Sequence, residues 1–416
     1  MDNTKRVTGD TILYNLLNLK QVTFEVTDEC NLKCKYCGFG EMYTGYDIRE
    51  AKYLSFNSIK PLIDYLCELW NTNLSDSSLP ITFFSFYGGE PLLNMDFIKQ
   101  TVDYIEKLNI RRKVLFSMTT NAMLLDRHME YLVEKGFHLL ISLDGDRYGD
   151  SYRVDKCGRS SFERVTRNVK RLQTNYPKYF ADNVNFNSVL HNKNSVQSIH
   201  DFISGEFGKT PRIAELNSAG VRPEMLEEFN QAYKNKLESL YESENYEAIK
   251  ESLFTSDPNT HDLLIYLHQY SGNVFGDFCD LFMNPQNECR TPTGTCTPFS
   301  KKMFITVNGK ILQCERIDHS FSLGFVSRDG LQLNPARIAS AHNAYLDKMQ
   351  NQCSVCHRKR SCSQCLFYID SIREEKPKCH GFMNENDYKR YSIRCMKYLY
   401  DHPDLYKRLM TDVIFE

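Results

Sequence analysis

Six short runs rich in Val, Ile, Phe and Thr are spaced along residues 21–217: QVTFEVT (21–27), TFFSFY (82–87), KVLFSMT (113–119), FHLLISL (137–143), NVNFNSVL (183–190) and PRIAELN (211–217). Runs of this composition and length are strands. The segments between them repeat apolar residues every three to four positions, as in Phe97, Ile98, Val102, Ile105 and Leu108, which is the stripe of an amphipathic helix. Strand then helix, repeated, folds as an α/β structure with a parallel sheet covered by helices. Ligand chemistry in such sheets gathers at the carboxyl ends of the strands.

From 222 to 275 the pattern turns helical, with no Gly-rich or Pro-rich linker, and a break is placed near 276. Beyond it come a β-hairpin (KMFITVNGKILQCERI), a helix around 335–350, a cysteine-dense loop region and a terminal helical segment. Lys plus Arg number 51 against 53 for Asp plus Glu, so no basic field exists to hold a nucleic-acid backbone. The N-terminus lacks the basic start and apolar core of a targeting signal, and the apolar stretches are too short to cross a bilayer. A cytoplasmic protein is expected, with neither nucleic acid nor membrane as partner.

Fifteen cysteines in such a chain call for metal or redox chemistry before disulfides. Cys30, Cys34 and Cys37 fall within eight residues, Cys67 and Cys157 stand apart, and ten lie between 279 and 395, so two metal regions are implied. Three thiols in one loop can ligate three irons of a cuboidal four-iron four-sulfur cluster and leave the fourth iron open to a ligand. A structural zinc site, the competing reading, wants four closed ligands, and no fourth cysteine lies nearby.

The stretch CNLKCKYC resembles the CxxxCxxC signature of radical S-adenosylmethionine (SAM) enzymes, with Tyr36 at the position where that family carries an aromatic residue. The resemblance implies a partial (β/α)6 TIM-like barrel, a [4Fe-4S] cluster on Cys30, Cys34 and Cys37, and SAM chelating its open iron. Reductive cleavage of SAM would then give a 5′-deoxyadenosyl radical, chemistry that belongs to the cofactor while the protein positions it. YGGEP (87–91) resembles the family's element for the SAM amino group, with Gly88 and Gly89 allowing close backbone approach and Glu90 accepting from the ammonium. TTNA (119–122) and SLDGD (142–146) supply Asn121 and Ser142 as SAM contacts. Arg153 resembles an arginine that pairs with the SAM carboxylate, and Asn187 in the fifth strand would reach the ribose and adenine.

The later spacing, Cys289, Cys296, Gly309, Cys314, Cys353, Cys356, Cys362, Cys365 and Cys379, resembles the SPASM domain of peptide-modifying radical SAM enzymes, which carries two auxiliary [4Fe-4S] clusters. By that resemblance Cys289, Cys296, Cys314 and Cys365 hold the first cluster, and Cys353, Cys356, Cys362 and Cys379 the second. Two residues separate Cys362 from Cys365 where the family has three. Cys279 or Cys395 could replace Cys365, or the first cluster could keep an open iron. Two zinc sites are the competing reading of these thiolates.

The expected domains are an N-terminal segment (1–20), a radical SAM core (21–220), a helical bridge (221–278), a SPASM domain (279–395) and a C-terminal helix (396–416). The expected function is maturation of a ribosomally made precursor peptide through a thioether or carbon-based cross-link. The rivals are an anaerobic sulfatase-maturating enzyme that forms formylglycine and a non-catalytic iron–sulfur electron carrier. Expected partners are the precursor peptide and an electron donor such as flavodoxin or ferredoxin. Only 29 residues precede Cys30, too few for a leader-binding winged helix, so leader recognition is assigned to the 222–275 stretch or to a separate protein. Glu315, directly after Cys314, stands where sulfatase-maturating enzymes carry an aspartate base. It is read as the catalytic base, with a solvated glutamate paired to Arg316 or Lys310 as the alternative.

Overall fold

The computed structural model of the chain describes residues 6–73, 80–270 and 293–413. Six of its strands coincide with the six expected runs to within two residues: β1 (Gln21–Glu25), β2 (Ile81–Tyr87), β3 (Lys113–Thr120), β4 (His138–Ser142), β5 (Val184–Leu190) and β6 (Arg212–Glu215). They pair in chain order and all in parallel. A doubly wound sheet reverses its strand order at a switch point, whereas this uninterrupted order is that of a (β/α) barrel.

The period of two along each strand separates the sheet's faces. Phe24, Phe84 and Phe86 lie on the face covered by the helices Phe56–Thr72 and Met95–Lys107 and are fully buried. Their rings meet one another and Phe97, with Phe24 5.9 Å from Phe97 edge-on and Trp70 6.3 Å from Phe84. The alternate residues make the other face polar. Gln21 donates to Ser85 (2.7 Å), the Ser85 and Ser117 hydroxyls lie 2.5 Å apart, and Ser142 stands in register with Asn187. That polar face ends at the strand termini that carry the motifs.

Four further strands, β7 (Met303–Ile305), β8 (Lys310–Leu312), β9 (Gly324–Ser327) and β10 (Gly330–Leu333), extend the same sheet. β7 runs parallel to β1, and β8 to β10 continue antiparallel. The hairpin assigned from sequence to the region beyond 278 therefore completes the edge of β1, whose backbone groups would otherwise lack partners. Accordingly the chain forms two compact units. The first comprises Gly9–Ser252 and Pro298–Ile338, the second Met1–Thr8, Leu253–Thr297 and Ala339–Glu416.

The 222–275 stretch is a series of short helices, Leu226–Ala232, Lys236–Tyr241, Tyr246–Leu253 and Pro258–Tyr270. Asn235 interrupts the helical pattern because its side chain caps the next helix, accepting from the Glu238 amide at 3.0 Å. The terminal segment is likewise two helices, Glu385–Asp401 and Pro403–Thr411, since a proline opens a helix but cannot continue one. In the second unit Leu263, Tyr266, Tyr391, Leu405 and Leu409 form a buried core. Among the described residues no helix is long and apolar enough to cross a membrane.

Phe84→Ala is expected to cost about 3–5 kcal/mol in chemical denaturation, because the vacated ring volume borders the large rings of Phe24 and Trp70, which cannot collapse into it. Ile81→Ala, at an exposed position on the same strand, should shift stability by about 0.5 kcal/mol or less.

Candidate functional site

The loop after β1 carries Cys30, Cys34 and Cys37, and its backbone is tied down on several sides. Lys33 and Lys35 amides donate to Val154 (2.7 Å) and Tyr152 (3.2 Å), and Gly40 donates to Cys37 (2.8 Å). Thr44 donates to Gly220 and Arg222 to Met42, so the 216–233 segment packs against this loop, burying Tyr36, Met42 and Tyr43 with Leu216 and Phe229. Part of the stretch assigned to leader recognition is thereby committed to holding the cysteine loop.

YGGEP meets the same loop from β2. Gly88 has φ +130°, and a Cβ there would lie 2.3 Å from the Thr27 carbonyl oxygen; at Gly89 it would lie 1.9 Å from that of Glu29. No side chain fits at either position. The approach is sealed by Gly89 N–H to Thr27 (2.8 Å) and Glu90 N–H to Glu29 (2.9 Å). Glu90 is consequently buried, and burial pushes its carboxyl up to about 7 against three hydrogen bonds that oppose the shift. Thr120 Oγ1 (2.6 Å) and the Leu92 amide (3.1 Å) donate to Oε1, and the Asn121 amide (2.8 Å) to Oε2. A carboxylate offers about four acceptor positions, so one remains on Oε2 for a further donor.

Asn121 turns its side chain toward the cysteine loop, donating to Asn31 Oδ1 (2.7 Å) and Cys30 Sγ (3.7 Å). Ser142 and Asn187 end neighbouring strands on the polar face. Arg153 departs from a free clamp for a carboxylate. It is buried, donates to the Tyr36 hydroxyl (2.9 Å) and lies 3.8 Å from Asp144 and 3.7 Å from Asp150. Tyr36 donates to Asp144, which also accepts from the Val189 amide (2.8 Å). His191 stacks on Tyr36 at 5.5 Å, and burial depresses its basicity to a pKa of about 4, leaving it neutral.

The thiols suit a cationic iron–sulfur group. Burial, followed by the Glu90 charge, pushes Cys30 up to about 11. Burial likewise pushes Cys34 to about 12 against the attraction of Arg153, and both other thiols of the loop add to that rise. Such thiols become thiolates when a bound metal centre supplies the positive charge. Among the described residues no three His, Cys, Asp or Glu side chains converge on one point to hold a single ion.

Of the thiols expected to hold the first auxiliary cluster, Cys289 lies outside the described residues, as does Cys279. Cys314 belongs to the first unit, Cys296 and Cys365 to the second. Cys296 and Cys365 interact electrostatically, and Thr295 accepts from the Leu366 amide beside them (2.8 Å). In the second set, burial pushes Cys353 up to about 12, and Cys362, Cys379 and Cys356 add to the rise. Next to them a cavity of about 210 Å³ is lined by Arg358, Cys362, Ser363, Gln364, Cys365, Tyr368 and Gly381. Cys395 is buried in the Glu385–Asp401 helix within the aromatic core, against which Met383, the amide donor to Cys356 Sγ, also packs.

Glu315 pairs chiefly with Lys302, which lies 3.1 Å from both carboxylate oxygens. Arg316 is 3.9 Å away, and Lys310 instead pairs with Asp47 (2.5 Å). Burial would raise the Glu315 carboxyl, but Lys302, a backbone hydrogen bond and Arg316 together outweigh it and hold the group below its ordinary value. Its Oε2 is 3.6 Å from Cys314 Sγ. Tyr46 is pushed up to about 12 by burial and then by Cys314, Asp318, Cys37 and Glu315; Tyr87 is raised by burial and then by Glu315 and Cys37. The Tyr46 ring packs against Phe39 (4.9 Å) and His319 (5.3 Å), and that of Tyr87 against Phe39 (6.0 Å) and Phe304 (6.5 Å). Sequence reasoning passed over these two tyrosines and Lys302, although Tyr87 opens the YGGEP motif itself.

Residues 24–204 match the family model described as the Radical SAM superfamily, and this part of the chain is a radical SAM domain. Among curated proteins, the cysteine-type anaerobic sulfatase-maturating enzyme of Clostridium novyi is 26% identical over 159 residues, covering 37% of this chain and 40% of that protein. The radical SAM cyclopropyl synthase TigE of Paramaledivibacter caminithermalis is 25% identical over 237 residues, 54% of this chain and 46% of that one. The chain thus spans less than half the length of either relative. The solved structure of native anSMEcpe with bound AdoMet shares the fold across 94% of this chain and 100% of its own, at a TM-score of 0.60 and 18% identity. The same protein with AdoMet and the Kp18Cys peptide gives 0.61 and 17% over 94% and 98%.

Gly89→Ala is expected to lower stability by about 1–3 kcal/mol and to reduce the iron retained after anaerobic reconstitution, because the added methyl must displace the Glu29 backbone. Gly205→Ala, inside the Val196–Phe207 helix with open space around it, should instead add up to about 1 kcal/mol and leave iron content unchanged.

Proposed function

We propose that this chain is a radical SAM enzyme that modifies a ribosomally made peptide, installing a thioether or carbon-based cross-link. One observation carries the reading: the Cys314–Glu315 turn belongs to the same sheet as the cysteine loop, and both act electrostatically on Tyr46 and Tyr87. A peptide side chain lying there would have a radical source on one side and an auxiliary-cluster ligand with a carboxylate on the other.

In this reading Cys30, Cys34 and Cys37 hold the first [4Fe-4S] cluster, and two auxiliary clusters use Cys289, Cys296, Cys314 and Cys365, and Cys353, Cys356, Cys362 and Cys379. When bound, cluster and SAM together supply a 5′-deoxyadenosyl radical able to take hydrogen from an unactivated carbon. Glu90 presents its remaining acceptor position to the SAM ammonium. Ser142 and Asn187 line the polar face at the strand ends. Arg153 and Asp144 fix Tyr36 as a wall of the site, and Arg153 keeps positive charge near the thiols. Glu315, oriented by Lys302, receives the proton that a substrate group loses. The partners are a precursor peptide and a one-electron donor, in the cytoplasm.

Formylglycine formation is the second reading, favoured by the likeness to a sulfatase-maturating enzyme. Anaerobic incubation with SAM and reductant should release 5′-deoxyadenosine, and mass spectrometry of candidate precursor and sulfatase-derived peptides after treatment with a hydrazide separates the readings: a product lighter by two hydrogens that does not react with the hydrazide marks a cross-link, a hydrazone-forming aldehyde the alternative. Changing Cys30, Cys34 and Cys37 to Ala should remove about four irons and all 5′-deoxyadenosine. Glu315→Gln should keep both and lose most peptide product. Nucleoside release by the triple variant would refute the assignment.

The Glu90 carboxyl gives a pH test. Its folded value, about 7, lies above the ordinary 4.5, so ionising it opposes folding. That contribution to stability is full below pH 4.5 and is lost as pH rises through 7. A bound ammonium favours the ionised form. SAM affinity should therefore fall about tenfold per pH unit below 7; in Glu90→Gln affinity should be weaker and this slope absent, as read by equilibrium binding.

A further inference from the structure

We infer that Tyr46 is a substrate-contacting residue, whose hydroxyl donates a hydrogen bond to the sulfur of a precursor-peptide cysteine as Glu315 takes the thiol proton. The inference rests on the reading of this chain as a peptide-modifying radical SAM enzyme, and of the products proposed above it selects the thioether.

Residues 45–47 all engage one residue of the turn that follows Cys314 and Glu315. The His319 amide donates to the Gly45 carbonyl (2.7 Å), and the Asp47 amide donates to His319 Nδ1 (3.2 Å). Between these two bonds the Tyr46 ring meets the buried His319 ring edge-on, with centroids 5.3 Å apart. Asp47 is anchored in turn by Lys310 (2.5 Å) and Asn308 (3.0 Å). Tyr46 also meets Phe39, two residues after Cys37, at 4.9 Å, and the Arg49 guanidinium lies 4.5 Å from the Phe39 ring. The ring is therefore held by the cysteine loop and by the Glu315 turn at once. Its hydroxyl, in contrast, has no hydrogen-bond partner among the described residues, although enclosed tyrosine hydroxyls usually have one. An aromatic side chain fixed this closely, with its polar end uncommitted, is preorganised to meet a ligand. Burial, followed by Cys314, Asp318, Cys37 and Glu315, pushes that hydroxyl up to about 12, so it stays a donor throughout the range in which a thiol titrates.

Glu315 alone is a poor base for a thiol. Its carboxyl is held below the ordinary 4.5, whereas a cysteine thiol has an ordinary pKa of about 8.5, so the transfer is uphill by about four orders of magnitude or more. The nearby lysines are committed, Lys302 to Glu315 at 3.1 Å and Lys310 to Asp47 at 2.5 Å. A rigid neutral donor aimed at the sulfur stabilises the anion where it forms. A serine hydroxyl or a carbon-bound hydrogen is a weaker acid than a thiol, which makes the thiol the group that this acid–base pair suits. In the step the S–H bond breaks and the proton passes to the Glu315 carboxylate. The electron pair stays on sulfur, Tyr46 keeps its proton, and no electron leaves the peptide.

The test compares the reconstituted holoenzyme with Tyr46→Phe, which keeps the ring and removes only the donor. The probes are the cysteine-containing candidate precursor that the wild type modifies and the same peptide with that cysteine replaced by alanine. The two proteins should match in iron content, in SAM affinity and in equilibrium binding of the alanine peptide. Tyr46→Phe should lose about a hundredfold in kcat for thioether formation at neutral pH, with KM little changed. That deficit should narrow toward about pH 9.5, where a thiol ionises unaided. A loss that is independent of pH, confined to KM, or shared by binding of the alanine peptide would overturn the role in favour of packing or a backbone contact. Wild-type rates and pH profile in the variant would overturn the role of Tyr46 alone. A wild type that cleaves SAM but gives only an aldehyde, or no thioether from any thiol peptide, would overturn the cross-linking reading and the inference with it.

Discussion

The site depends on the pressing of the YGGEP loop onto the backbone of Thr27–Glu29. Two glycines make the approach possible, because any Cβ would overlap a carbonyl oxygen. That approach carries Glu90 into the interior, where an unpaired carboxylate would be costly. Thr120 and the Asn121 amide meet the cost, which draws the end of β3 to the end of β2. Asn121, held there, reaches Cys30. A single contact thus sets the relative positions of three strand ends and of the loop that carries the thiols.

A second constraint is the addition of β7 to β1. The cysteine loop leaves β1 on one side of this pairing, and the Cys314–Glu315 turn leaves β8 on the other. The Glu25 carboxylate at the end of β1 accepts from the Val307 amide (3.0 Å), and burial pushes its carboxyl to about 7 despite that bond and nearby Arg49. Sheet pairing, rather than a flexible tether, fixes the distance between the cysteine loop and Glu315. The Lys302 pair keeps that carboxylate ionised and oriented, a state ready to take a proton but weaker as a base than an unpaired glutamate.

Arg153 shows how burial changes a role inferred from a motif. Two carboxylates and the Tyr36 hydroxyl satisfy its guanidinium inside the protein, so its charge acts on the thiols across the interior while its donors are committed to holding Tyr36. Removing one partner of such a group would leave the others buried and uncompensated.

The sequence by itself determined the six parallel strands and the positions of the motifs at their ends, because alternating faces and helical stripes are local patterns in the chain. It also marked Cys30, Cys34 and Cys37, and Gly88 and Gly89, since ligand spacing and the absence of a side chain are written directly in the residues. Other features came only with tertiary structure. β7 to β10 joined the first sheet because the open edge of β1 needed partners, and no local pattern states which edge a hairpin will find. Lys302 rather than Lys310 took Glu315, since partner choice among nearby cations is made by distance in space. Tyr46 and Tyr87 gained their place for the same reason: each is an ordinary aromatic residue until packing brings it under the influence of both Cys37 and Glu315. Composition and periodicity fix what a segment is, and long-range packing decides which segments meet.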